Sequence, residues 1–145
     1  MRTLRHAGAA VIVELCGVAI AVGALLTWID ARGSRPRSGI SHTSVAGVLH
    51  WSYRTVAAFP RSFGMIVLVA GIGVLIAGLI GSRFLAGLFC LIALAAAGVW
   101  IGLNATHFSP IDMTYKDLQA GAWLTIGGGV VGQIGATLLR RSARQ

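Results

Sequence analysis

The chain has 145 residues, 56% of them hydrophobic and 11% charged, with a net charge of +8 and a mean hydropathy of +0.80. A soluble domain carries about 25% charged residues, so the composition excludes an ordinary water-soluble domain, and the length leaves no room for a second soluble module. No basic helix or RNA-binding aromatic motif accompanies the positive charge. That points away from nucleic acid and towards an anionic lipid surface.

Four apolar segments follow in chain order, at 7–29, 63–80, 84–103 and 118–139. Each is close to the roughly 17–25 residues that cross a hydrocarbon core as a helix. Arg2 and Arg5 precede the first, and Ser62 stands as an N-cap before the second. Only Gly81, Ser82 and Arg83 separate the second from the third, which makes that pair an antiparallel hairpin. Thr114 and Asp117 form a capping box ahead of the fourth. The expected fold is all-α: an integral membrane four-helix up-down bundle, one domain over residues 1–145. Trp28, Trp51, Trp100 and Trp123 all fall beside the same end of these segments. A tryptophan ring is apolar while its N–H seeks a polar partner, so the four predict a one-sided belt at a membrane boundary.

The first outer loop, 30–62, carries a helical pattern of its own. Val45, Val48, Leu49, Tyr53, Val56 and Phe59 share one face between Ser44 and Pro60, with His50 and Arg54 opposite. The pattern predicts a short amphipathic helix on the outer surface. Arg32, Arg35 and Arg37 precede it, and Arg54 and Arg61 lie in and beyond it. Guanidinium groups pair bidentately with phosphates and carboxylates, so these five are candidate contacts to lipid headgroups or an acidic partner. The second outer loop covers 104–117.

Orientation does not follow from simple counting. With the N-terminus inside, Arg2, Arg5, Arg83, Arg140, Arg141 and Arg144 are inner, against Arg32, Arg35, Arg37, Arg54, Arg61 and Lys116 outside. The inner charges hug the helix ends without a neighbouring acid, whereas Asp30, Asp112 and Asp117 are all outer. This favours a plasma (inner) membrane protein with both termini in the cytoplasm.

Many of the 20 glycines lie within the segments. Gly71 and Gly78 recur at a seven-residue spacing, and Gly73 opens a small-xxx-small row with Ala77 and Gly81. Gly98 with Gly102, and Gly128 with Gly132, repeat that spacing in the third and fourth helices. In lipid, helices associate by close backbone approach at such positions. Small residues on two faces of the second helix predict that one row meets another membrane subunit.

Glu14 is the one charged residue inside a segment, roughly 12 Å in from His6 at 1.5 Å per residue. Gln133 lies at a similar depth from the same side, so the expected arrangement is a hydrogen-bonded Glu14–Gln133 pair joining the first and fourth helices. Cys16 and Cys90 form no Cys-x-x-Cys motif and are simplest as small buried apolar residues. The histidines are scattered, and no nucleophile elbow, phosphate loop or paired-carboxylate site occurs. No catalytic residue, cofactor or metal is expected.

The stretch Ala9-Ala10-Val11-Ile12-Val13-Glu14-Leu15-Cys16-Gly17 resembles the first helix of small multidrug-resistance transporters. That resemblance implies a proton- and cation-binding acid at Glu14 in an oligomeric exporter. The whole-chain pattern, with Leu26-Thr27-Trp28 closing the first helix and Gly121-Ala122-Trp123-Leu124 opening the fourth, resembles small actinobacterial four-helix membrane proteins. Some of these look like accessory subunits of larger envelope machines, including Mce-type lipid importers. The second resemblance implies a non-catalytic role among other integral membrane subunits. It is the leading expectation, with the exporter as alternative.

Overall fold

The computed structural model of the chain describes residues 2–29, 37–38, 62–106 and 115–143. Its elements are α1 (Arg2–Leu25), β1 (Thr27–Ile29), β2 (Arg37–Ser38), α2 (Phe63–Leu79), α3 (Arg83–Thr106), a 3-10 turn (Tyr115–Asp117) and α4 (Ala120–Ala143). The fold is all-α, with one short antiparallel ribbon pairing Thr27 with Ser38 and Ile29 with Arg37.

The α2–α3 hairpin shows how local sequence sets the architecture. Ser62 caps α2, its Oγ accepting the Met65 N–H at 3.3 Å. Position 81 has φ +66, a conformation that glycine adopts without steric cost. The Gly81 N–H then reaches the Gly78 carbonyl (3.1 Å) and the Ser82 N–H reaches that of Ala77 (2.9 Å), a Schellman closure. Ser82 at once starts the next helix, its Oγ accepting from Leu85 N at 3.5 Å and its carbonyl from Ala86 N at 3.0 Å.

Around the bundle α1 packs against α2 and α4, and α3 closes the ring against the same two helices. Contacts run antiparallel at the seams: Gly135 faces Val13, Gly132 faces Cys16, Gly128 faces Ile20 and Gly121 faces Trp28. The core is built largely from small side chains, among them Ala24, Ala70, Ala77, Ala86, Ala93 and Ala97, so the helices lie close. The outside is apolar as well. Leu15 on α1, Leu79 on α2, Phe84 on α3 and Ile134 on α4 are 64%, 75%, 74% and 56% exposed.

Element bounds depart from the sequence reading in instructive ways. α1 takes in Arg2 and Arg5 and stops at Leu25 rather than residue 29, because the chain turns into β1. α4 starts at Ala120 rather than 118, where the Gln119 N–H is held by the Trp28 carbonyl at 2.9 Å. Thr114 of the expected capping box lies outside the described residues. So do the expected amphipathic helix, Trp51, Arg32, Arg35, Arg54 and Arg61; Arg37 is described only as backbone in β2.

Candidate functional site

The polar groups within the bundle do not pair as the sequence predicts. Gln133 on α4 turns towards α3, where its Nε2 donates to the Gly87 carbonyl at 2.7 Å. Glu14 faces α2 instead, its Cγ lying 2.9 Å from where a Cβ on Gly78 would stand. The two side chains therefore occupy opposite seams of the ring, and the expected Glu14–Gln133 link is replaced by two separate attachments. Gly78 belongs to the last turn of α2, beside the Schellman closure. Glu14 thus lies near the hairpin end of the bundle and not at its middle.

The tryptophans follow a similar logic. Trp28, Trp100 and Trp123 all lie towards one end, but two of them turn inwards. Trp28 and Trp100 are fully buried and meet edge to face, centroids 5.1 Å apart at 80°. Trp28 has no need of a headgroup, because its Nε1 donates to the Gly23 carbonyl at 2.8 Å. Trp123 remains outside, 55% exposed. The expected belt of four thus becomes an internal aromatic plug with one outward ring among the described residues.

Glycines divide into two sets. Gly71 lies against the Ala21 backbone, Gly73 against the Phe89 ring, Gly78 against Glu14, Gly128 against Ile20 and Gly132 against both cysteines. Sequence reasoning missed further close approaches at Gly17, Gly23, Gly121, Gly129 and Gly135. At the Gly23 crossing, Thr125 is buried and its Oγ1 donates to the Gly121 carbonyl at 2.9 Å, consuming the hydroxyl within its own helix. Gly98 and Gly102 belong to the other set with Gly8, Gly81 and Gly127: a Cβ on any of these would meet nothing within 4 Å among the described residues, and Gly98 and Gly102 are exposed on α3 beside Ala95 and Val99.

An open apolar groove between α2 and α3, lined by Met65, Ile66, Val69, Ala70, Phe89 and Ile92, offers no side chain that could orient a reacting group. Among the described residues, no three His, Cys, Asp or Glu side chains gather where a metal could sit.

These features define an all-α four-helix bundle closed by glycine seams, apolar on its outer surface, with two helices, at Ala7–Leu25 and Arg83–Gly102, long and apolar enough to cross a membrane. No known protein family, curated protein or solved structure matches the chain.

Proposed function

We propose that this chain is a non-catalytic accessory subunit of a bacterial inner-membrane complex, crossing the membrane with all four helices and keeping both termini in the cytoplasm. Large apolar side chains point outwards from every helix, where a water-soluble bundle would present charge. Lipid is the solvent that suits such a surface. The observation that carries the docking role is Gly98, exposed on α3, where a Cβ would meet nothing within 4 Å among the described residues. Gly71, Gly78, Gly128 and Gly132 lie against a neighbouring helix, whereas Gly98 leaves room for another helix to approach the α3 backbone. The partner is another integral membrane subunit presenting its own helix. The resemblance to small actinobacterial membrane proteins makes an Mce-type lipid importer the preferred host, with anionic lipids at the arginine-rich edges.

Mild-detergent purification from the native host tests this reading. The tagged chain should bring defined membrane subunits with it. Gly98→Leu should keep the helical circular dichroism of the parent while losing those subunits by about tenfold or more, a coupling of about 1.4 kcal/mol. Glu14→Gln should leave the assembly intact, because its place beside Gly78 supports a packing role. Unchanged recovery of the partners with Gly98→Leu would sink the docking face. Loss of cation export in a well-folded Glu14→Gln protein would favour the exporter alternative.

A further inference from the structure

The two cysteines come from helices on opposite corners of the bundle, yet both reach the same point. A Cβ on Gly132 would stand 2.6 Å from the Cys90 Sγ and 3.9 Å from the Cys16 Sγ. The sulfurs are therefore no further apart than the sum of those distances. Two metal–sulfur bonds of about 2.3 Å each, laid end to end, fall within that upper limit. Both thiols are free and buried. The core residues one turn away on each helix are apolar: Val13 and Ile20 on α1, Ala86 and Ala93 on α3. Glycine at 132 is what opens the space between α1 and α3, since any side chain there would push into Cys90.

The geometry points to a two-thiolate site, Cys16 with Cys90, for a soft divalent cation that accepts linear coordination. Soft ions select thiolate ligands. Binding one divalent ion forms two metal–sulfur bonds, breaks two S–H bonds and releases two protons. The resulting complex is neutral. This matters because the core residues around the pair are apolar, and an uncompensated ion among them is costly. A monovalent copper ion would leave one negative charge behind. Zinc would seek two further ligands, and among the described residues no third His, Cys, Asp or Glu joins the pair. A mercuric ion meets all the constraints.

Mercuric chloride is the probe. The full chain in detergent micelles, titrated in the presence of excess 2-mercaptoethanol, should retain one mercury per chain. Cys16→Ala and Cys90→Ala, checked for unchanged helicity, should each weaken retention about 100-fold, because chelation by the second thiol is lost. A second measurement needs no variant. Trypsin cleaves after Arg or Lys unless Pro follows, and Arg32, Arg37, Arg54 and Arg61 supply such bonds in the chain between α1 and α2. After cleavage there, fragments carrying Cys16 and Cys90 should migrate together in SDS with mercury and separate when dithiothreitol is added. Two mercury ions per chain, one surviving in each single variant, would mean independent thiols and overturn the site. So would no retained mercury, or fragments that separate with mercury present.

Discussion

Changing Gly71 to leucine is expected to break the α1–α2 seam and abolish the folded bundle. A Cβ at this position would stand 2.6 Å from the Ala21 nitrogen and 2.9 Å from its Cα. Those are backbone atoms, which cannot rotate aside as the end of a side chain can. The approach is reciprocal, since a Cβ on Gly17 would lie 2.8 Å from the Leu75 nitrogen and 3.0 Å from the Gly71 carbonyl oxygen. A single methyl forces the helices apart, with an overpacking cost of about 1–3 kcal/mol. For alanine this is partly offset by the roughly 1 kcal/mol that alanine gains over glycine within a helix. Leucine adds three more carbons to the same closed space, against a total stability of only about 5–15 kcal/mol. Gly98→Ala has the opposite sign: nothing stands within 4 Å, so only the helix-propensity gain remains. Thermal unfolding followed by circular dichroism in micelles checks the order Gly98→Ala, parent, Gly71→Ala, Gly71→Leu, from most to least stable. A Gly71→Leu protein that melts with the parent would show that the seam is not this close.

The hairpin was legible in the sequence because its instructions are local. Ser62 as a cap and Gly81 in a three-residue connection act on backbone groups a few positions away, and the structure uses both as expected. Which face of each helix turns inwards was not legible, for a physical reason. With Leu15, Ile72, Leu91 and Val130 outside and Val13, Ile20, Val67 and Val74 inside, residues of one chemical kind cover both faces. Polarity then carries no direction, and only the shape of neighbouring side chains decides. Gly98–Gly102 and Gly128–Gly132 have the same spacing, yet the first faces out and the second faces in. Glu14 and Gln133 were misjudged for the same reason. Depth along the axis can be counted from the chain, but rotation about the axis cannot, and rotation sends them to different seams. The Trp28–Trp100 plug also depends on rotation, helped by Gly121, where a Cβ would lie 2.6 Å from Trp28 Cδ1.

Trp28→Ala should be the second most damaging change in the molecule, and Trp28→Phe should be mild. The indole is fully buried, and its removal leaves a cavity between α1, α3 and α4. Large-to-alanine changes of this kind cost about 3–5 kcal/mol, and the lost edge-to-face pairing with Trp100 adds about 0.5–1.5 kcal/mol. Phenylalanine keeps a ring against Trp100 and loses only the N–H bond to Gly23. That carbonyl still accepts the Leu26 N–H at 3.3 Å, so it is not orphaned and the loss is about 1 kcal/mol. The backbone clamp from Gln119 to the Trp28 carbonyl survives both changes, so the starting turn of α4 stays attached to β1. A tryptophan lying at a lipid boundary behaves differently: alanine and phenylalanine there would differ little in fold stability, and a polar quencher would reach the ring. Unfolding midpoints for the two variants, with acrylamide quenching of single-tryptophan proteins that retain Trp28 or Trp123 alone, separate these cases. Protected Trp28 emission beside quenched Trp123 emission, with alanine at 28 several kcal/mol worse than phenylalanine, is the pattern an internal plug demands. Equal quenching of the two rings would place Trp28 back on the surface.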